Sequence, residues 1–173
     1  MTYLCELIEY ASQQLVTALL NDKKILACGN GRSATSVQLL SSAMLNQFER
    51  DRPALPVIAL TTDTATITAI ANDYNFDDIF AKQLRALGQS GDMLVVYTDG
   101  NSSANISKVV STAQDKDISV IALTGNNGGM IAPLLRETDI EIRVPSNSNA
   151  RIQEVHVLIT HCLCDLIDHQ LFG

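Results

Sequence analysis

No stretch of the sequence approaches the run of about 20 apolar residues that a membrane span requires. The opening residues, Met1 to Glu9, carry acid where a secretory signal would carry a basic segment, which argues against export. Basic charge is scarce. Twelve Lys and Arg stand against 19 Asp and Glu in 173 residues, a formal net charge of −7. A domain this acidic lacks the positive footprint that nucleic-acid phosphates or anionic membrane surfaces demand, so neither is expected as a partner. Four cysteines are too few for a disulfide scaffold, and Cys162 and Cys164, two apart on a helical pattern, point to different faces and cannot easily share a metal. They read as small buried hydrophobes of a reducing, cytoplasmic compartment. Linkers, repeats and low-complexity segments are also missing. With 46% apolar and 18% charged residues, the chain can bury one sizeable core, and 1–173 reads as a single domain.

What is present is an alternation of apolar runs and helical patterns. Runs with β-branched residues fall at Lys24–Cys28, Pro56–Leu60, Met93–Tyr97, Ile118–Leu123 and Asp139–Val144. The first four are almost continuously apolar, as strands buried on both faces are. The fifth alternates, which predicts an edge strand with one wet face. Helical patterns fill the intervals at Ser33–Phe48, Thr64–Asn72 continuing to Asp77–Leu87, Ser102–Gln114 and Gly128–Leu134. Longer ones open the chain at Tyr3–Leu20 and close it at Ala150–Phe172. The expected fold is therefore α/β, a doubly wound, five-stranded parallel sheet flanked by helices. In such folds ligands bind beyond the carboxyl ends of the strands, at the point where the strand order reverses. This draws attention to the loops Gly29–Ser33, Thr61–Thr64, Thr98–Ser102 and Thr124–Gly129.

Three of these loops are rich in glycine, amide and hydroxyl: Gly29-Asn30-Gly31-Arg32-Ser33, Thr98-Asp99-Gly100-Asn101-Ser102 and Thr124-Gly125. Glycine allows a tight turn and close backbone approach, and a helix N-terminus following at once offers unpaired N–H groups to an anion. Ser33 could cap its helix or donate to a phosphate. Turn and cap chemistry alone accounts for any one of these loops. None carries a Gly-Lys-Ser/Thr phosphate loop or the glycine spacing of a dinucleotide fingerprint. Hydroxyls at three strand ends together point to a small phosphorylated, hydroxylated ligand such as a sugar phosphate.

The runs Gly29-Asn30-Gly31-Arg32-Ser33, Gly100-Asn101-Ser102, Leu123-Thr124-Gly125 and Arg151-Ile152-Gln153-Glu154 resemble the sugar isomerase (SIS) family, and within it the phosphoheptose isomerases. Ala69-Ile70-Ala71-Asn72-Asp73, Arg85-Ala86-Leu87-Gly88, Cys162 to Asp168 and the terminal Leu171-Phe172 look closer still to the DiaA branch, non-isomerase relatives that associate with the replication initiator DnaA. The resemblance covers nearly the whole chain. It implies an SIS fold and a homodimer or homotetramer, although relatives usually begin with a further helix of about one or two dozen residues that helps build the tetramer. It also implies ligand contacts at Asn30, Gly31, Ser33, Thr98, Ser102 and Gln153.

In the isomerases zinc and proton transfer rest on four side chains. Read forward from the glycine loop, and anchored by the matching Arg52-Pro53, the family's zinc-binding histidine falls at Leu39 and its carboxylate base at Ala43. Gln153 and His161 match the other two. Loss of the base and a ligand implies no cofactor, argues against zinc, and leaves Gln153 and His161 as remnants. Asp99 stands where a phosphate-binding serine is common, and Tyr97 replaces a small hydroxyl. Arg32, in place of a glycine, is expected to pair with Asp99 and close the site. The expectation that follows is a non-catalytic adaptor resembling DiaA, docking DnaA through Leu171 and Phe172. The alternatives are a phosphoheptose isomerase acting on sedoheptulose 7-phosphate and a sugar-phosphate sensor.

Overall fold

The computed structural model describes residues 2–101 and 103–173, Thr2 by its backbone alone. Element by element the chain runs α1 (Thr2–Leu20), β1 (Ile25–Gly29), α2 (Ser33–Leu45), β2 (Val57–Ala59), α3 (Thr64–Asp73), α4 (Ile79–Leu87), β3 (Met93–Tyr97), α5 (Ala104–Asp115), β4 (Ser119–Gly125), β5 (Ile140–Val144) and α6 (Asn149–Phe172). Short 3₁₀ turns occur at Phe76–Asp78 and Ala132–Leu134. The latter is all that forms of the expected Gly128–Leu134 helix. Gly128 and Gly129 have positive φ there, and Pro133 follows, so an α-helix has no room to start.

The five strands form one parallel sheet in the order β2-β1-β3-β4-β5. Successive side chains of each strand point to opposite faces, and each face has its own core. Ile25, Ala27, Val95, Tyr97 and Leu123 pack against Leu15 of α1, Val37 and Leu40 of α2, and Ile152, Ile159 and Leu163 of α6. Leu26, Cys28, Leu94, Val96 and Ala122 pack against Phe80 and Leu84 of α4 and Ile106, Val109 and Val110 of α5. Burial on both faces is why β1 and β3 are apolar at every position. β5 alternates between buried and wetter residues, as an edge strand should. From β1 the chain crosses to β2 on one side, and then back past β1 to β3 on the other. The order therefore reverses between β1 and β3, and the loops leaving these two strands part to open a crevice.

Candidate functional site

The crevice at this reversal point has a volume of about 170 Å³. It is lined by Asn30 and Ser33 after β1, by Tyr97 at the end of β3, and by Thr98, Asp99, Asn101 and Ser103 in the loop that follows. Its geometry starts from two turns. Gly31 has a φ of +53°, which lets the chain leave β1 and enter α2 within a few residues. Ser33 is the first residue of α2; Arg32 occupies the cap position, and no side chain caps the helix. Ser33 is thus buried in the crevice wall with its backbone N–H donating to the Asn30 carbonyl at 2.9 Å.

Across the crevice, α5 begins at Ala104, so its N-terminal N–H groups face back toward the same loops. The two sides are tied by a reciprocal amide pair, Asn30 Nδ2 to Asn105 Oδ1 and Asn105 Nδ2 to Asn30 Oδ1, both 2.8 Å. Asn105 is almost fully buried. Asn30 is accordingly fastened to the protein by its own side chain.

Arg32 and Asp99 do not pair as expected. Arg32 is exposed and makes no ion pair within 4.0 Å among the described residues. The Asp99 carboxylate instead accepts from the Asn101 backbone N–H and from Asn101 Nδ2, both at 3.0 Å. A local Asx turn costs far less chain entropy than fixing a long, solvated arginine. Tyr97 does not plug the crevice. Its ring is fully buried, and its hydroxyl lies 2.9 Å from Thr160 Oγ1. That Thr160 hydroxyl donates its only proton to the His156 carbonyl at 2.8 Å, so Tyr97 is the donor in the first bond.

Two side chains went unrecognised in the sequence. Asn105 gave no signal beyond being a polar residue near a helix start. His156 is 2% exposed. The available clue was its place in the stripe Ile152-His156-Ile159-Leu163, the buried face of α6. His156 Nε2 lies 3.1 Å from the Thr124 carbonyl, which can only accept, so Nε2 carries the proton. Burial pushes this imidazole below the usual histidine range, despite the opposing pull of the Thr124 hydrogen bond and the Asp99 charge.

The remaining positions are more scattered. Thr98 is buried in the crevice, its Oγ1 accepting from the Gly100 N–H at 3.4 Å. Gln153 is half-buried near the start of α6. Ser102 lies outside the described residues. His161 is eight residues beyond Gln153, about 12 Å along the helix axis. Its ring rests on Phe48, centroids 5.5 Å apart, and it does not line the crevice. Glu154 pairs with Arg151 at the helix surface. Leu171 packs against the core, whereas Phe172 is 40% exposed.

The donor set does not suit a zinc ion. Leu39 is half-buried and Ala43 buried, neither has a ligating atom, and no three His, Cys, Asp or Glu gather to hold a cation among the described residues. Nor is any helix among them long and apolar enough to cross a membrane.

The SIS domain family matches residues 3–125. Phosphoheptose isomerase of Methylococcus capsulatus is 60% identical over 173 residues, spanning all of this chain and 89% of that protein. Its counterpart from Chromohalobacter salexigens is 58% identical over 166 residues, 96% of this chain and 84% of that one. The structure of a phosphoheptose isomerase from Francisella tularensis superposes with a TM-score of 0.92 at 50% identity, covering 95% of this chain and 86% of that one. These findings overturn the expectation of a non-catalytic, DnaA-binding adaptor and the leaning against an enzyme. That expectation rested on Leu39 and Ala43 at the ligand and base positions of α2, on Asp99 and Tyr97 in the phosphate pocket, and on short runs such as Ala69–Asp73 and Leu171-Phe172. The likeness to isomerases extends over the whole chain, and the hydroxyl- and amide-lined crevice, which Leu39 and Ala43 do not line, is intact.

Proposed function

Because the chain belongs to the SIS domain family, we propose that it binds a phosphorylated sugar at the β1–β3 crevice and interconverts its ketose and aldose forms, as a phosphoheptose isomerase acting on sedoheptulose 7-phosphate. The observation that carries this reading is 56–60% identity to curated relatives of that name across 96–100% of the chain. Ser33, Thr98 and Ser103 offer hydroxyls, and the start of α5 offers N–H groups, to a phosphate; Asn30, Gly31 and Ser102 belong to the same loops. The conversion moves one proton from C1 to C2 and one from the C1 oxygen to the C2 oxygen, with no net redox change. Gln153 would orient the sugar hydroxyls, and His161 would take and return the carbon proton. A single chain keeps His161 away from the crevice. Self-association, with the site shared between copies, is therefore part of the proposal, as is action in the cytoplasm.

The test is conversion of sedoheptulose 7-phosphate by the purified protein, followed by NMR. Turnover is expected, and His161→Ala should reduce it by about 10²–10⁴-fold, the usual worth of a positioned acid or base, with folding intact. Wild-type protein that binds the sugar phosphate without converting it would overturn the isomerase reading.

Asp99 makes a second check. A carboxylate about 4 Å from a phosphate charge costs about 1 kcal/mol even in water. Asp99→Asn retains an acceptor for the Asn101 N–H. It should tighten sugar-phosphate binding about fivefold or more by calorimetry, and unchanged affinity would place the phosphate elsewhere.

A further inference from the structure

Four groups from three different elements meet beneath the crevice. Thr124 is the last residue but one of β4, Tyr97 is the last residue of β3, and His156 and Thr160 stand one helical turn apart on α6. His156 Nε2–H donates to the Thr124 carbonyl at 3.1 Å. Its ring meets Tyr97 edge-on, centroids 6.1 Å apart at 70°. The Tyr97 hydroxyl donates to Thr160, and Thr160 donates to the His156 carbonyl. All four residues are at least 95% buried. A second anchor lies beyond Thr124, whose hydroxyl donates to Glu141 Oε1 of β5 at 2.6 Å.

The loops that this cluster holds are also locked to each other. Gly100 has a φ of +90°, and a Cβ there or on Gly129 would collide with the opposite loop's backbone, at Gly125 O and Gly100 O respectively. The Thr98 N–H donates to Leu123 O at 3.0 Å, and the Asn126 N–H to Ser146 O at 3.1 Å. The two loops therefore move together, and the groups that fasten them to α6 from below are His156 and the Tyr97–Thr160 pair. Gln153 sits three residues before His156, on the adjoining turn of the same helix face.

We infer that His156 is a positioning residue: through the Thr124 carbonyl and the Tyr97 ring it sets the Thr98–Asn101 and Gly125 loops in register with Gln153, so that phosphate and sugar are held by one rigid frame. It touches no substrate. Its buried N–H adds a bond from α6 to the Thr124 carbonyl at the β4 end, and a buried donor of this kind is costly to leave without its acceptor. The inference rests on the reading of the crevice as the sugar-phosphate site, but its structural half is measurable independently.

Two variants separate donor from shape. His156→Phe keeps an aromatic ring against Tyr97 and removes the donor; His156→Gln returns an N–H near the Nε2 position. Amide hydrogen exchange in His156→Phe should accelerate at least tenfold at Thr98, Gly100 and Asn126, while the Ile25 amide, bonded to Pro56 O across the sheet, stays unchanged. KM for sedoheptulose 7-phosphate should rise about tenfold with kcat within threefold, and His156→Gln should restore both readouts to within threefold of wild type. Uniform acceleration across the sheet, or loop amides and KM unmoved in a folded variant, would overturn the inference. Should wild type lack turnover, the isomerase reading fails on its own. The loop amides and the dissociation constant for the sugar phosphate then decide the role of His156. A wild type that neither binds nor converts the sugar, or variants that exchange normally, overturns it.

Discussion

Arg52→Leu is expected to lower the free energy of unfolding by about 3–5 kcal/mol, read as a lower urea midpoint at unchanged slope. The guanidinium is 2% exposed and its partner Asp168 6%. Nε donates to Asp168 Oδ1 at 2.9 Å, Nη2 to Ala43 O at 2.7 Å, and Nη1 to Met44 O, Asn46 O and Pro53 O at 2.7, 3.3 and 3.1 Å. Three of those carbonyls are the orphaned acceptors at the end of α2. One side chain thus closes α2 and joins it to α6. Removing it strands a carboxylate in the interior, where Asp168 Oδ2 already lacks a partner, and takes the donor from Ala43 O as well, whereas Met44 O keeps the Leu55 N–H at 2.9 Å. Replacing a buried pair by apolar residues is often close to neutral. Here the double variant Arg52→Leu with Asp168→Leu should recover only part of the loss, because the Ala43 carbonyl at the end of α2 loses its donor. Full recovery would show that the carboxylate alone sets the cost.

Gly100→Ala should disable the crevice with less harm to the fold. A φ of +90° is a region that side chains rarely adopt, costing about 1–3 kcal/mol in strain, and the added Cβ would meet the backbone carbonyl of Gly125. That neighbour is no flexible side-chain tip. It belongs to the β4 end, where Ile152 and the Asp99 carbonyl already close on Gly125. The loops must separate, taking Thr98 and Asp99 with them. Sugar-phosphate affinity should fall by at least tenfold, about 1.4 kcal/mol, by calorimetry, whereas Gly31→Ala, with nothing within 4 Å of its Cβ, should cost less. Equal losses in both would show that strain, and not the interlock, sets the effect.

Chain-wide resemblance and local substitutions carry different weight. Leu39 and Ala43 are departures from a motif, and they argue about one pair of groups on one helix. Identity of 60% over all 173 residues constrains the sheet, the loops and the helix faces together.

The apolar runs and their punctuation determined the strands, their burial on two faces and the wet edge at β5, because these follow from local periodicity and from the rule that parallel strands need covering on both sides. The loops that would line a ligand site were legible for the same reason: in this architecture they are the carboxyl ends of the strands. Only the tertiary structure decided which polar groups meet. Asp99 turned to Asn101, two residues away, and left Arg32 in solvent. Asn30 found Asn105, 75 positions on, and His156 found Thr124 and Tyr97. These pairings depend on crossing angles and on burial among distant segments. There the cost of leaving a donor unpaired selects the partner, and a periodic pattern in one dimension does not encode that choice.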